Sequence, residues 1–346
     1  MIDGISKQFF LFTQESIEVS LYQEGSKCYA VTSLDDGSEN DDAVTLWEAE
    51  AEENSERKQE NVDFVAARDA EQVQLFLDDH SESQYRSLLN ALHSNQVVQK
   101  VSLFRKRQTD SVRVRTPEEL QGLYCVLQRL SLRELSLSNF CTKDLPTLAK
   151  AMPNLKSLEN IQLHLEFGTI DETMAKALAS LPNLISLELE VKDSFSVAPI
   201  LQSESLHVLG IISNNFEFKA SHIMEIVQEL ERNKVLTVLD IEPKIEPFCL
   251  QYLMHGLRFN NTLETLQFSC ESDTVEGDPA VLEILSRLVE NSSLRVLWNH
   301  CYESLVVSDK TQKATLRVLK HNSTIEQFHV FFEDPNFMKK KNELLE

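Results

Sequence analysis

Five carboxylates recur at matching positions of a repeated apolar pattern: Glu166, Glu188, Glu190, Asp240 and Glu242. Three histidines, His164, His300 and His329, fall at comparable positions. Paired carboxylates can serve as general acid and base, but that chemistry needs a cleft in which their environments differ. A row of acids on an open sheet gives neither. Carboxylate and imidazole together can hold a metal ion, yet each histidine lies on a separate predicted strand, without compact ligand spacing. No Gly-rich phosphate loop, nucleophile elbow or His-Glu-x-x-His motif is present. The sequence therefore predicts no catalytic residue, no metal site and no cofactor.

What positions these side chains is a ladder of L-x-x-L-x-L segments. It starts at Ala70-x-x-Val73-x-Leu75 and Val98-x-x-Val101-x-Leu103, then runs through Leu132, Leu158, Leu184, Leu206, Leu236, Leu263 and the weaker Leu294-x-x-Leu297-x-Asn299 to Ile325-x-x-Phe328-x-Val330. Ten units give a mean period of roughly 28 residues, which signals a solenoid. The alternation L-x-L is a short strand with one buried face. Helix-spaced apolar residues fill the intervals, as in Ile223–Leu230 and Leu250–Leu257. Thr116-Pro117-Glu118-Glu119 reads as an N-cap, a first-turn proline and first-turn acids.

Just before several strands stands an asparagine: Asn95, Asn233, Asn260, Asn291 and Asn322. The last three are N-x-[ST] sequons. In register, all five read as helix terminators, because Asn tolerates the left-handed conformation that a helix end often needs.

A strand plus a full helix per unit resembles the ribonuclease-inhibitor-like leucine-rich repeats, the class that includes Ran GTPase-activating proteins. The resemblance covers roughly residues 63–334. It implies an α/β solenoid, an irregular horseshoe with a parallel concave sheet and helices outside. The Asn or Cys that the family carries after the strand is met clearly only by Asn214. Residues 1–62 do not fit the repeat. Ser16–Tyr22 and Lys27–Thr32 read as a β-hairpin, Ala43–Trp47 as a third strand, and Asp35–Glu60 as an acidic linker; together they form a small N-terminal β cap on the first repeat. Residues 335–346 read as a polar tail.

The net charge of −22 disfavours nucleic acid and anionic membrane surfaces and suits a basic protein partner. Six scattered cysteines include no C-x-x-C pair, which fits thiols in a reducing, cytoplasmic compartment; a nuclear location is compatible with the same features. No apolar run is long enough to cross a membrane, and the start lacks a secretory layout.

The face between the buried strand positions is thus acidic at its centre and aromatic at its ends. Glu166, Glu188, Glu190, Asp240 and Glu242 form the centre, with Phe104 toward one end and Trp298, His300 and Phe331 toward the other. Such a face fits a non-catalytic protein-interaction scaffold. Two other readings exist: a GTPase-activating regulator, as the resemblance implies, and a structural subunit of a larger complex. One basic edge, Arg105, Lys106 and Arg107, opposes the overall charge and can pair with an anionic partner or with the acidic stretch at Asp41–Glu60.

Overall fold

The computed structural model describes residues 17–24, 27–34, 45–50, 72–78, 82–95, 97–105, 115–193, 195–213, 217–257, 259–271, 277–301, 305–331 and 335–345. Lys106, Arg107, Asn214 and most of the acidic stretch lie outside them. The chain forms two compact units, Met1–Ser138 and Asn139–Glu346.

In the first unit, β1 (Ile17–Glu24), β2 (Lys27–Leu34) and β3 (Thr45–Glu50) pair antiparallel. This is the expected cap, with the third strand two residues later than anticipated. β1 then pairs in parallel with β4 (Gln72–Phe76), the first repeat strand, so the cap extends the repeat sheet along its edge. β5 (Lys100–Phe104) and the start of β6 (Glu134–Cys141) follow in parallel. Helices α1 (Glu82–Ser94) and α2 (Pro117–Leu127) pack together. Thr116 caps α2 in a reciprocal capping box with Glu119, as the sequence predicts.

The second unit is a run of leucine-rich repeats. Strands β7 (Asn160–Phe167), β8 (Ser186–Glu190), β9 (Val208–Ile212), β11 (Val238–Ile245), β12 (Thr265–Ser269), β13 (Val296–Asn299) and β14 (Gln327–His329) lie side by side, all parallel; the short β10 (Glu217–Phe218) pairs with β11. Helices α3 (Leu145–Ala151), α4 (Glu172–Ala179), α5 (Ala198–Leu201), α6 (Ala220–Arg232), α7 (Pro247–Leu257), α8 (Gly277–Leu288) and α9 (Asp309–Leu319) occupy the intervals. Register steps between neighbouring strands range from 22 residues (Ser186 to Val208) to 31 (Val296 to Gln327), so the units are unequal. Leu187, Leu189, Leu209, Ile211, Leu239, Ile241, Leu266 and Phe268 are completely buried, while the residues between them are half-exposed. Strand alternation thus gives one apolar face and one open polar face.

The C-terminal segment corrects the sequence reading. Residues expected as a polar tail form helix α10 (Pro335–Leu345). Its Phe337 is buried against Phe331, and Lys341 is buried with Nζ donating to the Phe328 carbonyl at 2.8 Å. The helix thereby covers the apolar residues of the last strand.

The asparagines are corrected too. Asn233 has φ −65° and ψ 131°, an extended backbone, and Asn139 is the only non-glycine with positive φ among the described residues. The reason for asparagine is its side chain. Oδ1 of Asn260 accepts from the backbone N–H of Thr262 (3.0 Å) and Leu263 (2.8 Å). Its Nδ2 donates back to the carbonyls of Leu230 (2.8 Å) and Asn233 (3.2 Å). Asn233, Asn291 and Asn322 make the same turn and the same backward donation, and Asn95 makes the turn. The hydroxyls of Thr262, Ser293 and Thr324 also donate to their asparagine Oδ1, which accounts for the N-x-[ST] pattern by folding alone. Because Nδ2 is engaged, these sequons are not presented for glycosylation in the folded chain.

Removing such a side chain leaves several buried backbone groups without partners, at about 1–3 kcal/mol each when truly unsatisfied. Asn260→Ala is expected to lower the unfolding free energy by about 2–4 kcal/mol, against less than about 0.5 kcal/mol for the exposed neighbour Asn261→Ala. Urea unfolding of the two variants checks this; equal effects would refute the ladder.

Candidate functional site

The open face of the second unit carries the acids. Strand register aligns Gln162, Glu188, Gly210, Asp240, Gln267, Trp298 and His329 across neighbouring strands. One step along, His164, Glu190 and Ile212 align. Glu166, Glu188, Glu190, Asp240, Glu242 and Trp298 are all half-exposed. The sequence-expected face is therefore assembled for these residues within one unit.

Its charges are partly compensated in place. Glu190 lies 3.4 Å from Lys192 Nζ. His164 lies between Glu188 (Nε2 to Oε1, 3.4 Å) and Glu190 (Nδ1 to Oε2, 3.5 Å), although Nε2 itself is covered and has no hydrogen-bond partner. At the other end of the row, His300 Nε2 is 2.8 Å from Asp240 Oδ1. Burial works against the charged form of His300, but the hydrogen bond and charge of Asp240, helped by Glu242, outweigh it and raise its pKa above the ordinary 6.5. Glu242 is also raised: burial disfavours its carboxylate, Asp240, Glu188 and Glu190 repel it, and His300 only partly offsets them.

Nδ1 or Nε2 of His300 and one carboxylate oxygen each from Asp240 and Glu242 lie within 4.8 Å of one another. Spacing along the chain gives no hint of this group, because 60 residues separate Asp240 from His300. The missed signal is repeat register: His300 stands just after the third strand position of its unit, as Glu242 does in its own. Folding brings those two side chains together across β12.

Asn299 directs His300 into place. The sequence marks this unit as weak because Asn replaces the third apolar residue. In the structure Asn299 is fully buried and completely bonded. Its Oδ1 accepts from the N–H of Cys270 (2.8 Å) and Cys301 (3.1 Å), and its Nδ2 donates to the carbonyls of Cys270 (2.7 Å) and Val330 (2.9 Å). The His300 N–H donates to the Phe268 carbonyl at 2.7 Å.

Several other expected site residues are placed differently. Phe331 is not an exposed anchor. It is fully buried, edge-on to Phe328 (centroids 6.0 Å apart) and tilted against Phe337 (5.4 Å). The aromatic beside Trp298 on the open face is instead His329, with ring centroids 4.5 Å apart. Burial, together with the charge of Lys341, lowers the His329 pKa to about 4.

In the first unit, Phe104 is half-exposed on β5. Arg105 is not an accessible basic edge. It is buried, pairs with the equally buried Asp78 (3.0 Å) and donates to the Arg115 carbonyl (2.7 Å). Arg115, also buried, donates Nε to the Leu77 carbonyl (2.7 Å) and lies 3.7 Å over the Tyr85 ring. These guanidiniums tie the ends of β4 and β5 to the start of α2.

No family model and no curated protein matches the sequence. Solved structures similar to the chain include an internalin from Listeria monocytogenes strain 4b F2365. It is 14% identical, with 87% of this chain and 89% of that one covered, at a TM-score of 0.38. Leiomodin-1 actin-binding site 2 is 19% identical, with 37% of this chain and 72% of that one covered, at a TM-score of 0.32.

Two outcomes follow. Arg105→Ala strands Asp78 in the interior and should cost about 3–5 kcal/mol in denaturant unfolding, whereas a surface arginine would cost under about 0.5 kcal/mol. The two histidines give opposite pH slopes. His300, raised, stabilises the fold fully below about pH 6.5, and that contribution is lost as pH rises through its folded value. His329, lowered, contributes stability above about pH 6.5 that is lost as pH falls toward about 4. NMR titration should place His300 above and His329 below an ordinary histidine, and Asp240→Asn should lower only His300.

Proposed function

We propose that the chain is a non-catalytic protein-interaction scaffold whose repeats are of the ribonuclease-inhibitor-like type. The open face of the second unit captures a partner with a basic surface. The observation that carries this reading is the row of half-exposed carboxylates, Glu188, Glu190, Asp240 and Glu242, beside the half-exposed Trp298. A fixed acidic strip favours a basic partner and speeds its encounter, while an adjacent indole supplies apolar contact area. Glu166 extends the strip on β7. The repeat type is supported by the regular alternation of one strand and one helix per unit. A cytoplasmic location belongs to the same reading. It is supported by the engaged asparagine side chains of the sequons and by the buried thiols Cys249 and Cys270. Among the described residues no helix is long and apolar enough to cross a membrane.

The test is affinity purification from the native source, identification of the partner, and measurement of its binding to variants. Trp298→Ala should weaken binding about 10- to 30-fold, a loss of roughly 1.5–2 kcal/mol. Glu188→Lys with Glu190→Lys should slow association and flatten its salt dependence. Wild-type affinity in both variants, or stimulation of a small GTPase that neither variant alters, would defeat the reading.

A further inference from the structure

We propose that Asp240, Glu242 and His300 form a binding site for one divalent transition-metal ion of the Zn2+ class. The proposal stands whether or not the same face takes a protein partner. It begins with the donor set. Two carboxylate oxygens and one imidazole nitrogen lie within 4.8 Å of one another. Carboxylates alone would suit Mg2+ or Ca2+; imidazole shifts the preference to Zn2+, Co2+ or Ni2+.

The distances fit such an ion. Ligand bonds of about 2.0–2.2 Å at tetrahedral angles put donors about 3.3–3.5 Å apart. Asp240 and His300 stand at 2.8 Å and must open slightly; Glu242, within 4.8 Å of both, must close by at most about 1.5 Å. Side-chain rotation covers both changes. The backbones that carry the donors are fixed. Leu239 and Ile241 flank Asp240 and are fully buried, and His300 follows the fully bonded Asn299. A site on rigid strands holds its geometry better than one on loops.

Charge and space point the same way. The charges of Asp240, Glu188 and Glu190 oppose ionisation of Glu242, and that of His300 favours it. A dication would neutralise that excess. In register between Glu188 and Asp240, the open-face position is Gly210, which adds no side chain. A Cβ there would stand 3.7 Å from Glu188 Cγ, so the space beside Asp240 is bounded by that side chain. Three protein ligands with an open position is the pattern of an accessible ion, not a closed structural one.

The rival ligands are thiols, since Cys301 follows His300 directly and Cys270 is close in the core. The experiment therefore titrates the tag-free full chain with ZnCl2 by calorimetry and with Co2+ by visible absorption. Wild-type, Asp240→Asn, Glu242→Gln, His300→Gln and Cys301→Ser are compared. Expected are one saturable Zn2+ site per chain, at least tenfold weaker binding in Asp240→Asn and His300→Gln, and no loss in Cys301→Ser. Affinity should also fall as pH drops through the His300 titration, because the proton competes for Nε2. Urea midpoints of the metal-free variants confirm that they fold. If Asp240→Asn and His300→Gln are destabilised, Glu242→Gln carries the test alone. No saturable wild-type binding, unchanged affinity in the folded ligand variants, or loss only in Cys301→Ser would overturn the site.

Discussion

A repeat array needs a device at each step that ends one helix, starts the next strand and fixes both to the preceding repeat. In the repeats that begin at Leu236, Leu263, Leu294 and Ile325 a single amide does all three. Asn233, Asn260, Asn291 and Asn322 each accept two N–H groups of their own turn and donate to a carbonyl one repeat back, in a setting where those groups would otherwise lack partners. Leucine contacts hold neighbouring units together but tolerate sliding, because apolar contact is not directional. The amides do not. They set register, and register decides which side chains share the open face: after Asn233, a slip of one residue would turn Asp240 inward and Leu239 outward.

The same chemistry recurs inside the sheet at Asn299. Replacing an apolar residue by a buried amide is destabilising unless every bond is made. Asn299 makes four: two with Cys270 of the preceding unit, one with Val330 of the following unit and one with Cys301 of its own turn. The irregular unit is therefore not a decayed repeat. It is the place where the chain leaves the strand early, so that His300 lies over β12 toward Asp240 instead of continuing the row.

Much of this was legible in the sequence, and the limits have physical causes. The ten strands and the intervening helices follow from periodicity, which reflects burial directly. The acidic face follows from strand alternation. What failed depended on partners distant in the chain. Phe331 has the period of an exposed residue, but α10 covers it with Phe337. Arg105 reads as part of a basic run, but Asp78, 27 residues earlier, draws it inside. The asparagines were placed correctly and explained wrongly, since backbone conformation and side-chain bonding predict the same residue at the same position. The His300–Asp240 pair needed register across three strands, which no local pattern carries.

The acidic face also explains why its histidines matter more than their number suggests. Like charges held on one face of a sheet repel, even where half-exposure screens them in part. Stability alone would favour neutral residues at those positions. Lys192 and His300 relieve the repulsion locally, near Glu190 and Asp240. At Glu242 burial and the charges of Asp240, Glu188 and Glu190 outweigh the charge of His300, and this carboxylate is pushed toward its neutral form. The face is thus built short of positive charge at one place. A cationic side chain or a metal ion arriving there gains Coulomb attraction against a strip that cannot spread apart, because buried leucines and bonded amides fix the strands beneath it.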